Sequence, residues 1–282
     1  MPDSVLPPPL LAIDAGNSRI KFGLFQPSHS DSGAVWPDCM EFMAIPVADP
    51  IPQQELMRWT DNGSIGAVIS GSNPPVARRL IENWQLGPIP PLAVRNCSAI
   101  PVVANVDFPE KVGLDRLLNA VAVNVVRPSS RPAIVVDSGT ATTVDYVAAN
   151  GDFCGGAILP GMELSAKALH QYTALLPLLP VQELAGAGPE APGRNTRDAI
   201  RNGLFWGQVG AIRELIRQVC LKRGHQVPDF DSTTDNPNAP WLVLTGGGGP
   251  VLSPQFPVAH RLASLGMHGL VLTAWKMLSP ER

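Results

Sequence analysis

Long apolar runs are missing from this sequence of 282 residues. No stretch is long enough to cross a bilayer, and the first residues lack the basic start and the apolar core of a secretory signal. Blocks of like charge are missing too, and the formal net charge at pH 7 is only −3. This balance gives no electrostatic reason to expect nucleic acid or an anionic membrane as a partner. Together, these absences predict a cytoplasmic protein that has no nucleic-acid partner and no membrane partner.

Cysteine is scarce, with four residues that lie far apart and show neither Cys-x-x-Cys nor Cys/His spacing. We therefore expect free thiols in a reducing compartment and no structural zinc site. The sequence also has no Gly-x-x-x-x-Gly-Lys-Ser/Thr loop, no Gly-x-Gly-x-x-Gly after a strand and no Gly-x-Ser-x-Gly. Its five histidines form no ligand pair at helical spacing. Zinc enzymes, Rossmann dehydrogenases and serine hydrolases thus lose support.

The overall composition is that of a globular protein. Hydrophobic residues make up 45% of the chain and charged residues 16%, which is enough to bury a substantial core. A short apolar strand over residues 67–70 leads into a turn in which Asn73 is a suitable helix N-cap and Pro74 a suitable first helical residue. This succession of strand, turn and helix recurs along the chain. It predicts an α/β protein of one large or two ordinary domains.

The strongest local pattern is a β-hairpin over residues 133–147. An apolar run leads to Asp137 and a turn of Ser138, Gly139 and Thr140, after which β-branched residues again favour a strand. Gly139 lets the backbone approach a phosphate, the hydroxyls of Ser138, Thr140 and Thr142 can bind it, and Asp137 offers a carboxylate to a cation. The pattern predicts a phosphate-and-cation site at the tip of the hairpin.

A second hairpin of the same kind lies near the amino terminus, over residues 11–24. Asp14 and Gly16 have the same relative places as Asp137 and Gly139, which follow 123 positions later (137 − 14). Either copy alone is equally compatible with a plain hairpin, because glycine turns between strands are common. The repetition of the same polar groups favours a functional site and predicts two related lobes.

A helix is predicted over residues 114–126 from its apolar spacing. Gly113, Asp115 and Arg116 would lie at its amino-terminal end, where unpaired N–H groups favour anions and Arg116 adds a two-pronged donor for a carboxylate. The alternative is that Asp115 only interacts with the helix dipole and Arg116 is a solvated charge. Taken by itself, the pattern favours this structural alternative.

Further patterns organise the rest of the chain. Residues 127–132 are predicted to be an interdomain linker, and residues 26–38 to be a loop. Thr196 is predicted to cap a long helix over residues 197–219, with a hydroxyl that could equally reach into a cleft. Glycines along one side of that helix predict close packing against another backbone, and they are Gly203, Gly207 and Gly210.

Taken together and in this order, these segments resemble the type III pantothenate kinases, a family within the actin/Hsp70/sugar-kinase superfamily of two-lobed phosphotransferases. The resemblance spans nearly the whole chain. It rests on six motifs in register, namely Asp14-Ala-Gly-Asn-Ser-Arg-Ile-Lys21, Gly113-Leu-Asp-Arg116, Asp137-Ser-Gly-Thr-Ala-Thr-Thr-Val-Asp145, Gly155-Gly-Ala-Ile-Leu-Pro-Gly161, Asn195-Thr196 and Thr245-Gly-Gly247.

The resemblance implies an α/β fold with two related actin-like (ribonuclease H-like) lobes. Each lobe would have a mixed sheet flanked by helices, with a cleft between the two lobes. The amino-terminal lobe would span residues 10–127 and the carboxy-terminal lobe residues 132–282. Because the family is dimeric, a homodimer is also expected.

The resemblance further implies that ATP phosphorylates pantothenate to 4′-phosphopantothenate, the first step towards coenzyme A, with Mg²⁺ and a monovalent cation (K⁺ or NH₄⁺). Asp115 would be the catalytic base for the primary hydroxyl, and Asp137 would bind the monovalent cation. The ATP contacts would be Asp14, Ala15, Gly16, Asn17, Ser18, Arg19, Ile20, Lys21 and Thr140. The pantothenate contacts would be Val106, Gly113, Leu114, Asp115, Arg116 and, across a dimer interface, Thr196.

Two positions depart from the family's pattern. Val106 stands where a tyrosine is usual, and Ser18 stands where threonine is commoner. Two alternatives remain open, namely another kinase of the same superfamily that acts on a sugar or a small acid, and a non-catalytic regulatory relative. The Gly113-Leu-Asp-Arg116 segment favours pantothenate over a sugar. Retention of three carboxylates favours catalysis over binding alone, and they are Asp14, Asp115 and Asp137.

Overall fold

The structure, a computed structural model, describes residues 6–29, 33–128, 130–184 and 188–279. The strands are β1 (Leu10–Ala15), β2 (Arg19–His29), β3 (Val35–Pro46), β4 (Gly66–Ser70), β5 (Leu92–Ala93), β6 (Ala133–Ser138), β7 (Ala141–Val147), β8 (Phe153–Pro160), β9 (Trp241–Thr245) and β10 (His260–Arg261). The helices are α1 (Gln53–Trp59), α2 (Pro74–Glu82), α3 (Leu114–Val126), α4 (Met162–Gln171), α5 (Val181–Leu184), α6 (Thr196–Arg223), α7 (Gly249–Leu252) and α8 (Leu265–Leu278). Within the residues described, no helix is both long enough and apolar enough to span a membrane.

The chain divides into two units, residues 1–126 with 264–282, and residues 127–263. In the first unit the strand order is β3-β2-β1-β4-β5, with β1 antiparallel to β2 and parallel to β4. In the second unit the order is β8-β7-β6-β9-β10, with β6 antiparallel to β7 and parallel to β9. Both sheets thus have the same ribonuclease H-like topology. The predicted fold class of two related α/β lobes with mixed sheets and flanking helices is confirmed.

The alternation of side chains along β1 decides which of them can take part in a site. Ile13 lies in a core that the side chains of α1 and α2 complete. Successive strand residues point to opposite faces, so Ala12 and Asp14 lie on the other face of the sheet. Ala12 pairs with Gly23, where a Cβ would lie 3.1 Å from the Met267 side chain of α8. Asp14 is therefore on the face that α8 covers.

The last helix belongs to the first unit. α8 packs along α3 so closely that a Cβ at Gly269 would lie 1.9 Å from the carbonyl oxygen of Leu118. This differs from the sequence-based division, which assigned all of residues 132–282 to the second lobe. The physical reason is that the chain returns to the first unit after residue 263. The local sequence of a helix carries no information about the sheet on which the helix packs.

The predicted loop over residues 26–38 was wrong for its two ends. Within the described residues, β2 continues to His29 and β3 begins at Val35, and Pro27 of β2 pairs with Pro37 of β3; residues 30–32 lie outside the described residues. The two prolines are tolerated because pairing of β2 with β1 ends at Phe25, and β3 is an edge strand. Proline content therefore indicated a loop where the structure has the overhang of a hairpin.

The predicted linker, residues 127–132, is held in place by Arg131, although residue 129 lies outside the described residues. The Arg131 guanidinium donates to both carboxylate oxygens of Asp235, at 2.5 and 2.7 Å, to Asn236 O at 2.6 Å and to Ala239 O at 2.9 Å. Its side chain is only 10% exposed. These hydrogen bonds hold the pKa of Asp235 below its ordinary value. Arg131 thus anchors this segment to the loop before β9, and we call this set of hydrogen bonds the clamp.

We expect Arg131→Met to lower the free energy of unfolding by about 2 kcal/mol, because two backbone carbonyls and a carboxylate lose their donor. The difference should be present above the ordinary pKa of aspartate and should shrink as the pH falls through the lowered pKa of Asp235. Urea unfolding at neutral and acidic pH measures both effects. Arg197→Met is the matched control, since Arg197 and Glu183 form a single pair whose side chains are 49% and 43% exposed. An equal loss in both variants would contradict the clamp.

Candidate functional site

The first hairpin turn closes around Gly16. The Gly16 N–H donates to Arg19 O at 3.0 Å, and a Cβ on Gly16 would lie 2.8 Å from that oxygen. Any larger residue would therefore distort the turn. The side chains of Asn17, Ser18 and Arg19 are exposed at the tip, whereas Ala15 is buried below it. The tip presents polar groups to solvent, as a phosphate-binding turn must.

The end of β4 lies against this turn and supports it. Asn73 N donates to Ala15 O at 3.0 Å, and Asn17 Nδ2 donates to Ser72 Oγ at 3.3 Å. Between them, Gly71 has φ +151°, and a Cβ there would lie 2.2 Å from Ala15 O. The β4 turn and the first hairpin turn therefore act as one structural unit, and only glycine fits between them.

Asp14 lies just below the turn and has an ion-pair partner. Its Oδ2 accepts a hydrogen bond from Lys21 Nζ at 2.8 Å, across the β1–β2 pair in which these two residues are directly opposite. Ile20, between the turn and Lys21, is fully buried and fixes the register of β2. The Asp14 side chain is 26% exposed and that of Lys21 is 37% exposed. Both charges can therefore reach a bound ligand.

Asp115 lies in the first turn of α3. Its Oδ1 accepts a hydrogen bond from Arg116 N at 2.9 Å. A Cβ on Gly113 would lie 2.6 Å from the same Oδ1. The carboxylate thus folds back over Gly113, and the missing side chain at that position makes room for it.

The surroundings of Asp115 favour its protonated form. Burial raises the pKa of the Asp115 carboxyl above its ordinary value, and the nearby negative charge of Asp14 raises it further. The hydrogen bond and the charge from Arg116 act in the opposite direction without cancelling the rise. The side chain nevertheless remains accessible to solvent. A carboxylate that is surrounded by protein atoms and still reachable is suited to take a proton from a bound hydroxyl.

The other residues expected to contact the substrate lie around the start of α3. Val106, Leu114 and Arg116 are half-buried. Phe108, two residues after Val106, is 59% exposed, and Lys111 Nζ lies 4.4 Å from the centre of its ring. An aromatic ring is thus present near Val106.

The second hairpin turn has the same construction in the second unit. Gly139 N donates to Ala141 O at 2.9 Å and closes the turn. Thr140 is exposed at the tip, and its carbonyl accepts from Gly161 N at 2.9 Å. Ser138 is 3% exposed and Thr142 is fully buried, contrary to the expectation that both would offer hydroxyls at this tip. Thr140 is the hydroxyl that this tip offers.

Asp137 lies at the end of β6, half-buried. Its neighbours in register are Thr143 on β7 and Thr245 on β9, so oxygen-bearing side chains flank it on both strands. A Cβ on Gly246, which has φ +85°, would lie 2.4 Å from Asp137 Oδ1. In the described part of the chain no three acidic, histidine or cysteine side chains form a metal-binding group. Thr143 Oγ1 itself donates to Asp145 Oδ2 at 3.0 Å, so a second carboxylate lies beside this group of oxygens.

The prediction for Thr196 was wrong in its structural part. The N-cap of α6 is Asn195, whose side chain accepts a hydrogen bond from Asp198 N at 2.9 Å. Thr196 is the first helical residue and is exposed. Asparagine and threonine both favour the N-cap, so the sequence alone could not decide between adjacent residues. The Thr196 hydroxyl is not used as a cap and faces solvent in this unit.

The glycine face of α6 also differs from expectation. A Cβ added at Gly203, Gly207 or Gly210 would meet no atom of the described residues within 4 Å. All three glycines are exposed. This side of the helix therefore packs on no other described element of its own unit.

The two units share a second feature that was not recognised from the sequence. Ser70 ends β4 in register with Asp14, and Thr245 ends β9 in register with Asp137. In each unit, a glycine with positive φ follows the hydroxyl-bearing residue. The signal was present as Ser-Gly and Thr-Gly after apolar strands. The two strands are 175 positions apart (245 − 70), whereas the hairpins are 123 apart. A single shift of the sequence over itself therefore cannot align both features.

Comparison with known proteins identifies what this arrangement resembles. A sequence model of the type III pantothenate kinases matches residues 10–218. The type III pantothenate kinase of Gluconobacter oxydans (strain 621H) is 35% identical over 295 residues, covering 96% of this chain and 94% of that protein. The type III pantothenate kinase of Thermomicrobium roseum is 30% identical, covering 93% of this chain and 95% of its own length.

Among solved structures, a protein of Campylobacter jejuni assigned to the Baf family of transcriptional activators superposes with a TM-score of 0.53. The match covers 95% of this chain and 98% of that one, at 19% sequence identity. At this identity the likeness concerns the fold alone. It extends over both units.

Proposed function

The chain belongs to the type III pantothenate kinase family, and from that membership we propose a mechanism in which Asp115 is the general base of phosphoryl transfer from ATP to pantothenate. The observation that carries this proposal is the setting of Asp115. It is reachable from solvent, its pKa is raised, and it lies close enough to Asp14 of the first turn to sense its charge. The proposed base for the pantothenate hydroxyl and the turn proposed to bind ATP thus belong to the same unit, which supports the assignment.

The reaction requires little covalent chemistry from the protein itself. Asp115 takes the proton of the primary hydroxyl of pantothenate, and the hydroxyl oxygen forms a bond to the γ-phosphorus of ATP. The bond from that phosphorus to the β–γ bridging oxygen breaks, and ADP leaves with the electron pair. Catalysis of this kind depends on positioning and on neutralising charge. Arg116, at the amino end of α3, supplies a planar donor for the carboxylate of pantothenate.

We assign ATP to the two hairpin turns. The contacts in the first turn run from Asp14 through Lys21, and Thr140 supplies the contact in the second. The described residues contain no cluster that would hold a divalent ion by itself. This agrees with Mg²⁺ that arrives on the nucleotide's phosphates and needs only one or two protein carboxylates. Mg²⁺ would neutralise charge on the phosphates, and Asp14 is the carboxylate that the first turn offers to it.

We assign the monovalent cation, K⁺ or NH₄⁺, to Asp137. The half-buried carboxylate and the flanking Thr143 and Thr245 give oxygen ligands on one face of the sheet. Because Gly246 has no side chain, its backbone can lie close to the Asp137 carboxylate. A bound cation would offset the negative charge of Asp137 beside the phosphates.

We also propose that the protein is a homodimer in the cytoplasm. All four cysteines are free thiols, which supports a reducing compartment. The open glycine face of α6 supports a partner helix that approaches closely, and the exposed Thr196 at the start of the same helix would then contact pantothenate of the other subunit. Sedimentation of the wild type and of Gly207→Trp tests this: a dimer that the substitution dissociates is expected. A wild type that sediments as a monomer contradicts it.

The function is tested by a coupled assay with ATP, Mg²⁺ and pantothenate, run once with K⁺ and once with Na⁺ only. We expect 4′-phosphopantothenate to form and its formation to depend on K⁺. Asp137→Asn should remove most of the difference between the two salts. Asp145→Asn is a poor control because Asp145 is buried. Asp152→Asn, in the turn before β8, is the matched control because Asp152 is half-buried, as Asp137 is. A sugar or small acid that outcompetes pantothenate would contradict the substrate assignment.

A further inference from the structure

Ser70 has a hydroxyl that the mechanism above does not use. The residue is 4% exposed, and its Oγ has no hydrogen-bond partner within the described residues. A buried hydroxyl without a partner costs roughly 1–3 kcal/mol, so such groups are rare unless something compensates for them. The Ser70 hydroxyl therefore either destabilises the fold without compensation or gains a hydrogen-bond partner when a ligand binds.

The position of Ser70 indicates which partner that would be. Ser70 and Asp14 are directly paired across the parallel strands β4 and β1. Paired residues of neighbouring strands point to the same face, and the strands lie about 4.8 Å apart. Ile69 packs in the core with α1 and α2, so the alternation along β4 places Ser70 on the opposite face, which is the face of Asp14. The Asp14 carboxylate is thus the charged acceptor beside the unpaired hydroxyl.

Asp14 already has a partner in this structure, namely Lys21 Nζ at 2.8 Å. Lys21 belongs to the segment that we assign to ATP, and its side chain is more than one-third exposed. When a triphosphate binds at the turn, it competes with Asp14 for this ammonium group. Even with one oxygen of the Asp14 carboxylate on Mg²⁺, the carboxylate then needs another donor in place of Lys21 to keep its orientation.

We propose that Ser70 is a positioning residue of the nucleotide site: as Lys21 passes from Asp14 to the phosphates of ATP, the Ser70 hydroxyl donates to Asp14 and holds its carboxylate in place. This inference rests on the proposed function, because it takes Lys21 as an ATP contact. It explains why an unpaired hydroxyl is kept at the end of β4. It also gives the hydrogen bond from Asn17 to Ser72 a role beyond support, since this bond helps to fix the end of β4, which carries Ser70.

A double-mutant cycle on the unliganded protein tests the exchange without any assay of activity. In the wild-type background, Ser70→Ala removes an unpaired hydroxyl and should raise Tm by about 2–4 °C. In the Lys21→Met background, Asp14 has lost its ammonium partner and should already accept from Ser70. There Ser70→Ala should lower Tm instead. The same sign in both backgrounds would overturn the proposal.

The liganded protein gives the second measurement. The rise in Tm caused by ATP and Mg²⁺ should be smaller for Ser70→Ala than for the wild type, and kcat should fall about tenfold, with KM for pantothenate unchanged. Ser70→Thr should restore both, since the second unit carries Thr245 at the corresponding place. The control is Thr273→Val, which removes a buried hydroxyl that already donates to Gly269 O at 2.7 Å and should lower Tm without changing kcat.

These outcomes separate the inference from the proposed function. If the wild type forms no 4′-phosphopantothenate, the proposed function fails whatever the cycle shows. If the wild type is active and Ser70→Ala matches it in kcat and in the ATP-dependent rise of Tm, the function stands and the role of Ser70 is refuted.

Discussion

Asp115→Asn is expected to lower kcat by about 100- to 10,000-fold, the range that a positioned general base contributes. The asparagine amide cannot take the proton of the pantothenate hydroxyl, but it keeps the shape of the side chain and an oxygen that can accept from Arg116 N. KM for ATP should therefore change little. Steady-state kinetics with both substrates varied measure this. Retention of full activity would contradict the mechanism even though the family assignment stands.

The same substitution should make the protein more stable at neutral pH. Folding raises the pKa of the Asp115 carboxyl, so the folded state binds the proton more tightly than the unfolded chain. As the pH rises from the ordinary pKa through the raised one, the free energy of unfolding falls, and asparagine avoids this loss. Asp107→Asn, at an exposed position in the loop before α3, is the control and should change neither kcat nor Tm appreciably. Wild-type activity should decline on the acidic side at a pH above the ordinary aspartate pKa.

Gly269→Ala is expected to destabilise the first unit by about 3 kcal/mol or more, at the upper end of the usual cost of overpacking. The added methyl group would lie 1.9 Å from the backbone oxygen of Leu118, which cannot move without displacing α3. Because α3 carries Asp115 at its start, kcat should fall along with Tm. Calorimetry and the kinase assay on one preparation show both.

Gly266→Ala on the same helix is the control for Gly269→Ala. A Cβ at Gly266 would lie 3.3 Å from Asn119 Oδ1, a side-chain atom that can shift by a few tenths of an ångström. We expect its effect to stay within about 1 kcal/mol, since alanine also favours the helix. Equal losses for the two variants would mean that the contact between α3 and α8 is looser than the structure indicates.

Local patterns were sufficient for the parts of the site that lie within one hairpin or one helix. The turns at Gly16 and Gly139 follow from apolar strands interrupted by Asp-x-Gly, and the bounds of α3 follow from apolar spacing alone. In each case the determinant is a short run of residues whose geometry is decided among themselves. The strand, turn or helix was therefore predictable before any tertiary contact was known.

The features of the site that could not be predicted from the sequence depend on pairing between distant segments. Ser70 matters only because β4 lies beside β1, and no property of Ser-Gly-Ser predicts that Asp14 is its neighbour. The raised pKa of Asp115 depends in part on the charge of Asp14, which is 101 positions earlier (115 − 14). The burial of Ser138 is likewise set by Gly248, where a Cβ would lie 2.3 Å from Ser138 Oγ.

The return of α8 to the first unit has a consequence for synthesis on the ribosome. Domains usually fold in the order in which they are made. Here the second unit is continuous, and all of its residues are translated by residue 263, whereas α3 still lacks the helix that covers it. The nascent chain must therefore keep the apolar side of α3 unpaired while the second unit forms. Asp115 acquires its final surroundings only when residues 265–278 emerge, so α8 is needed to complete the first unit around it.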